Sequence, residues 1–249
     1  MNIKWNAKGY TKDFQFVHQY GEDVLNLLDI EKGMKVLDLG CGNGALTKKI
    51  SDMGADVIGM DASGEMLEIA RRNYPELTFI QDDAVKFTLN EQVDAIFSNA
   101  VFHWIDNQDG LLDSIYNGLK INGSLVCEFG GYGCTETIHS FLQKAFEARG
   151  LEYKRTFYFP TIDEYTPILK KHGLQTVYAA LFDRKTALIG DDGMKNWIEM
   201  FVIQPFKGLD DSLKNEIIDE TVKSLKPILY QNGVWYADYV RIRLKARKI

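Results

Sequence analysis

Three observations predict an α/β fold with a doubly wound, mostly parallel sheet. From residue 35 to residue 130, short apolar runs alternate with stretches of helical periodicity. The first run, Val36-Leu-Asp-Leu-Gly-Cys-Gly-Asn-Gly44, passes directly into a glycine turn and then a helix. Acidic residues punctuate the first three strands in turn: Asp38 within the first, Asp61 closing the second, and Asp82-Asp83 after the third.

Taken in order, the patterns predict strands over 35–39, 56–60, 77–81, 93–98 and 124–129. Helices are predicted over 45–53, 63–72 and 108–118. Ser63 is placed to cap the helix that opens Gly64-Glu-Met-Leu. Right-handed crossovers put the C-terminal ends of parallel strands on one edge, where ligands bind. Before this core, Phe14, Val17, Tyr20, Val24, Leu27 and Leu28 recur at helical spacing, with Gly21 as a break. They make either a cover on the sheet or a lid bringing Tyr10, Phe16 or His18 to a ligand. Beyond 130 a helix is predicted over 135–149. Thr161 and Glu164 have capping-box spacing and open a helix to His172, with Gly173 beyond its end. A strand over 174–184, helices over 191–204 and 210–230, and a final strand over 234–246 follow. With no repeat or linker, residues 1–249 are expected to form one domain. Its core is 30–130, 174–184 and 234–246; its lid is 1–30, 131–173 and 185–233.

Composition excludes several classes. The chain has 249 residues, 45% hydrophobic and 26% charged, the balance of a globular protein. A net charge of −6 argues against a nucleic-acid partner. The three cysteines, Cys41, Cys127 and Cys134, have neither metal-ligand nor disulfide-framework spacing. No signal core or membrane-length apolar run is present, so a cytoplasmic protein with no membrane partner is expected.

The glycine turn lets backbone N–H groups approach a ligand, and an acid ending the next strand can hold ribose hydroxyls. Asp61 lies 21 residues after Gly40. Gly40, Gly42 and Ala45 also satisfy the dinucleotide fingerprint, which makes an NAD(P) oxidoreductase the rival reading. Against it stand Asp38, two residues before the first glycine, the acids at the third strand end, and the lack of a separate catalytic domain. A cofactor-binding module without catalysis is the other alternative.

VLDLGCGNG, GMDASGEML, FIQDDA and IFSNAVFHWI resemble the successive motifs of class I S-adenosylmethionine-dependent methyltransferases. Trp5-Asn6, Asn99-Ala100 with Trp104, Asn196-Trp197 and Pro205 extend the resemblance to the trans-aconitate methyltransferase-like group. The resemblance implies a seven-stranded sheet with its last strand antiparallel, and S-adenosylmethionine as cofactor. It places Asp38, Gly40, Cys41, Gly42 and Gly44 around the methionine moiety and Asp61 on the ribose. Ala62 and Met66 lie beside the adenine, Asp83 and Ala84 at its amino edge, and Asn99 and Ala100 on the sulfonium side. Position 103 is His here, where the trans-aconitate enzymes carry Gln, so the resemblance leaves the acceptor open.

An antiparallel last strand begins at the ligand edge, so the segments 130–173 and 185–233 should pile up there as a lid. The rim then holds His103, Trp104, Glu128, Tyr132, Arg184, Trp235, Tyr236, Tyr239 and Arg241. Arg184 or Arg241 can pair with a substrate carboxylate, although Arg241, Arg243, Lys245 and Arg247 also fit a solvated strand face. His103 is the candidate general base. A carboxylate acceptor needs none, being ionised at pH 7. The expected reaction is in-line methyl transfer to a small molecule, with an oxygen acceptor such as a carboxylate, and without metal. The segment after the fourth strand, Ser98-Asn-Ala-Val-Phe-His-Trp104, lacks the Pro-Pro motif of DNA amino-methylating enzymes. Oligomeric state is left open.

Overall fold

The apolar run after residue 34 forms strand β1 (Lys35–Leu39) in the computed structural model, which describes Gly21 and residues 23–249. Four of its five residues are buried, as in a strand covered on both faces. There follow α1 (Ala45–Asp52), β2 (Asp56–Asp61), α2 (Gly64–Asn73), β3 (Thr78–Gln81), β4 (Val93–Asn99), α3 (Gln108–Gly118) and β5 (Leu119–Gly130). Next come α4 (Glu136–Glu147), α5 (Ile162–Lys171), β6 (Leu174–Leu188), α6 (Gly193–Phe201) and α7 (Asp211–Leu229). The two-residue β7 (Tyr230–Gln231) and β8 (Val234–Lys248) end the chain. The proposed lid residues Tyr10, Phe16 and His18 lie outside the described residues.

Local chemistry sets several boundaries. Ser63 Oγ accepts the Met66 N–H at 3.3 Å and caps α2. At α5 the Glu164 N–H reaches Thr161 Oγ1 at 3.1 Å, and the Thr161 N–H reaches the Glu164 carboxylate at 2.8 Å. This is the expected capping box. Gly173, at φ 73°, follows that helix. Gly21 corrects the sequence reading: it is helical rather than a break. A Cβ there would lie 2.5 Å from Leu46 Cδ1 and 3.1 Å from Asn99 Nδ2. The glycine serves close approach to α1 and the end of β4, not a turn.

The sheet order is β3-β2-β1-β4-β5-β8-β6, with β7 beside β8. β1 pairs in parallel with β2 and β4, β2 with β3, and β4 with β5. β8 runs antiparallel between β5 and β6. The seven-stranded sheet with a reversed last strand is thus the architecture present. Both late strands outrun their predicted ends at 184 and 246. Gly130 pairs with Arg241 and Leu188 with Trp235, so the first half of β8 and the end of β6 project past β5 as a two-stranded ribbon.

Two apolar cores flank the sheet. One joins Leu37, Ile96, Leu125 and Leu244 to α3 and α5; the other joins Val36, Val57, Phe97 and Val126 to α1 and Val24. A third core lies beyond the sheet edge, where α4, α6 and α7 pack on Trp235, Ala237 and Tyr239 of the ribbon. The ribbon therefore supplies the floor on which the cap is built. Among the described residues no helix is long and apolar enough to cross a membrane.

Candidate active site

The glycine turn is fixed by its backbone. Gly40, Gly42 and Gly44 take φ of 78°, 55° and 82°, in the left-handed region where a side chain is strained. The Gly40 and Cys41 N–H groups both donate to Met60 O, at 2.7 and 2.9 Å. This ties the turn to β2. Asp61, at the end of β2, accepts the Gly42 N–H on Oδ2 (2.9 Å) and the Ser63 N–H on Oδ1 (2.8 Å). Its carboxylate is held in one orientation, and each oxygen keeps a lone pair for a further donor. Burial raises its pKa in spite of these bonds.

Asp38 is 2% exposed and accepts the Thr47 hydroxyl at 2.6 Å. Burial pushes its pKa up to about 7. Burial, with the neighbouring Asp38 and Asp61, also pushes the Cys41 thiol up. Met66 is buried, with Cε 3.3 Å from where a Gly42 Cβ would stand. Ala62 O accepts the Gln81 side-chain amide at 3.0 Å. The third strand end is occupied locally: Asp82 Oδ1 accepts the Asp83 N–H at 2.7 Å, and Asp83 Oδ1 the Val85 N–H at 3.2 Å. Ala84 is buried beneath that turn. At the end of β4, Asn99 lies in register with Glu128 of β5. Ala100 has φ 61°, uncommon for a residue with a side chain, and donates its N–H to Glu128 O at 2.7 Å.

Beside Ala100 a cavity, partly open to solvent, lies between the sheet edge and the cap. Its walls are His103, Trp104, Phe157, Phe159, Trp197, Phe201 and Tyr239, with Cys134, Thr135 and Arg241. The Phe157 and Phe159 rings are stacked with centroids 5.2 Å apart, and Trp104 lies 4.7 Å from Phe157. Tyr239 OH accepts the Trp197 indole N–H at 2.6 Å. Arg241 is 7% exposed, with its guanidinium 4.4 Å from the Tyr239 ring centroid. No Asp or Glu among the described residues pairs with it, and none lines the cavity. His103 Nδ1 accepts the Gly130 N–H at 3.2 Å. Burial, and then the charge of Arg241, hold the His103 pKa well below its usual range.

The cavity thus gathers His103, Trp104, Tyr239 and Arg241, and leaves other expected rim residues outside. Arg184 lies on β6, where the buried Glu128 carboxylate takes its guanidinium together with that of Arg243 (Nε to Oε2, 2.7 Å). The Trp235 indole donates to Asp191 O at 2.8 Å and packs on Tyr230 within the third core. Tyr236, on the opposite strand face, stacks under the Lys185 ammonium, and Tyr132 is largely exposed. The solvated-face reading of β8 fails for Arg241, holds for Arg247, and fails for Arg243 and Lys245, which pair with Glu128 and Asp29.

The sequence reading missed Phe157 and Phe159. They sit in the irregular stretch between α4 and α5, which has no periodicity over enough residues to stand out. The available signal is the alternation Phe157-Tyr-Phe159 before Pro160, with the two phenylalanines turned to one side.

Comparison with known proteins agrees with this geometry. Residues 37–127, which carry β1 to β5, match the family described as methyltransferase domain. An uncharacterized methyltransferase of Schizosaccharomyces pombe is 29% identical over 98% of both chains. A trans-aconitate 2-methyltransferase of Rhizobium rhizogenes is 32% identical over 57% of this chain and 56% of its own. Phosphoethanolamine N-methyltransferase 2 of Haemonchus contortus, solved with phosphomonomethylethanolamine and S-adenosylhomocysteine, shares the fold. Its TM-score is 0.60 at 18% identity, over 92% of this chain and 52% of that one. The matched segment contains the glycine turn and the acids of the first three strands, and the relatives it brings are methyltransferases rather than dehydrogenases. The chain is a class I S-adenosylmethionine-dependent methyltransferase.

Proposed function

We propose that the enzyme methylates a carboxylate oxygen of a small organic acid bound in the aromatic cavity. One observation carries this reading: Arg241, buried and without a carboxylate partner among the described residues, faces a cavity that begins at Ala100. A buried guanidinium without a counter-ion is costly, and a substrate carboxylate removes the cost. The trans-aconitate methyltransferase relative is named for a carboxylic acid, which agrees.

S-adenosylmethionine supplies the activated methyl group. The residues present fit it. Asp38 is a buried carboxylate with one hydroxyl donor and a raised pKa, a setting that an ammonium group relieves. Asp61, pre-oriented by two backbone amides, has lone pairs left for ribose hydroxyls. The Gly40–Gly44 turn, including Cys41, would run along the methionine moiety, Ala62 and Met66 would flank the adenine, Asp83 and Ala84 would meet its amino edge, and Asn99 and Ala100 would stand on the sulfonium side. The cavity walls exclude water and hold the acceptor in line, which is the main demand of this displacement. β8 runs through both the sheet and the cap core, so the whole chain is taken as one domain.

Isothermal titration with S-adenosylhomocysteine, followed by transfer of labelled methyl groups to a panel of small acids, phenols and amines, tests the proposal. Base-labile methyl esters are expected. Labelling confined to phenols or amines would reject it.

A further inference from the structure

His103 and Arg241 both line the cavity and lie close enough for the charge of one to act on the other, and their state defines what it holds. His103 is fixed by Gly130, whose N–H donates to Nδ1. An uncharged imidazole with Nδ1 accepting carries its hydrogen on Nε2. Nε2 has no hydrogen-bond partner among the described residues, and the ring lines the cavity. The other titratable or charged groups of the cavity are Arg241 and Tyr239 of β8 and Cys134 before α4. None is an acid that would draw a proton onto the ring, and Arg241 opposes a second charge there.

Resting on the carboxylate reading above, we infer that His103 is an uncharged Nε2–H donor which, with Arg241, forms a two-point holder for a single carboxylate. The site therefore takes monocarboxylic acids with an apolar body rather than polycarboxylic acids. A second carboxylate would need a second cation. The nearest arginines, Arg184 and Arg243, are both engaged by Glu128. The remaining walls among the described residues are aromatic apart from Ala100, Cys134 and Thr135, none of them a cation, and a carboxylate buried against them stays unpaired.

The step balances without a proton acceptor. One carboxylate oxygen bonds to the methyl carbon as the carbon–sulfur bond breaks, and that bond's electron pair stays on sulfur. Carboxylate and sulfonium become a neutral ester and a neutral thioether. His103 holds the acceptor and moves no proton, so a side-chain amide can replace it: its oxygen accepts the Gly130 N–H and its NH2 donates in place of Nε2–H.

The test measures labelled methyl transfer from S-adenosylmethionine by wild type, His103→Gln and His103→Ala between pH 6.5 and 9. The acceptors are phenylacetate, 3-methylbutanoate, citrate and trans-aconitate, and S-adenosylhomocysteine binding reports that each variant is folded. At saturating S-adenosylmethionine the expected result is at least a tenfold preference in kcat/KM for a monocarboxylate and a flat wild-type pH profile. His103→Ala should lose tenfold or more, chiefly in KM, and His103→Gln should restore most of that loss. Preferred turnover of a tricarboxylate would overturn the specificity. A rate rising tenfold per pH unit toward a plateau, with His103→Gln as impaired as His103→Ala, would make His103 a base and overturn the donor role. Failure of every acid in a protein that binds S-adenosylhomocysteine and methylates phenols or amines would instead reject the underlying carboxylate reading.

Discussion

The two halves of the site are built in different ways. The strand-end half uses contiguous sequence: Asp38 and Gly40–Gly44 lie within seven residues, and Asp61 to Met66 within six. Its hydrogen bonds are largely to backbone, from Gly42 and Ser63 to Asp61 and from Gly40 and Cys41 to Met60. The cavity half draws His103, Cys134, Phe157, Trp197 and Arg241 from five separate segments. It is held by ring packing and by charges brought together through strand register. A site made of backbone geometry is tied to the sheet and carries what a fold family shares. A site made of distant side chains can be changed one residue at a time, which is where acceptor specificity belongs.

Glu128 joins the halves. Its backbone oxygen takes the Ala100 N–H, while its carboxylate, 2% exposed, neutralises Arg184 and Arg243. Breaking this arrangement gives the largest expected effect. Glu128→Ala leaves Arg184, Arg241 and Arg243 close together without a counter-charge, and removal of one partner from a buried ion pair costs about 3–5 kcal/mol. Urea denaturation should show that loss. A change below about 1 kcal/mol would mean that solvent reaches the cluster and that the halves are not joined through this residue.

The same contrast explains what was legible in the sequence. The order of strands, the glycine turn, Asp61 and the capping box at Thr161 rest on neighbours in the chain, so local periodicity and spacing report them. Arg184 and Arg241 looked alike, each an arginine on a late strand. Only register separates them: Arg241 lies opposite Gly130, a residue with no side chain, and turns to the cavity. Arg184 falls where Glu128 can take it. The projecting ribbon was hidden for a related reason. Asp183-Arg-Lys-Thr186 breaks the apolar alternation, and only pairing with β8 carries β6 on to Leu188, while pairing with β5 shows where the sheet proper ends. Phe157 and Phe159 belong to no regular element, and their single alternation before Pro160 is too short to stand out.

A smaller effect would sharpen the division. Asp61→Ala removes a charged acceptor from the strand-end half alone, and hydrogen bonds to charged groups contribute about 1.5–3 kcal/mol. S-adenosylhomocysteine binding should weaken by that amount in calorimetry. The KM for the acid acceptor, at saturating S-adenosylmethionine, should stay within about twofold. An equal loss in both would show that the cavity depends on the cofactor side for its shape.

The smallest effect is a pH dependence, and it isolates Asp38. Its pKa stands at about 7 instead of 3.8 because burial, helped by the nearby Asp61 charge, disfavours the charged form more than the Thr47 hydroxyl favours it. Asp38 is thus ionised above pH 7 and protonated below. A cationic ammonium partner prefers the ionised form, so S-adenosylhomocysteine affinity should be full above pH 7 and decline as pH falls through it. The limiting slope is about tenfold, or 1.4 kcal/mol, per pH unit. Linkage runs the other way for the unliganded protein. A raised carboxyl pKa means that the folded state takes up a proton the unfolded chain has released, so the contribution of Asp38 to stability is present at low pH and is lost as pH rises from about 4 to about 7. Binding and unliganded stability should therefore move in opposite directions across this window. Asp38→Asn, with no proton to exchange, should bind more weakly at pH 8 and show a flat profile between pH 5.5 and 8.5. A wild-type profile as flat as that of the variant would place the ammonium group elsewhere and leave Asp38 as a support for Thr47 and α1.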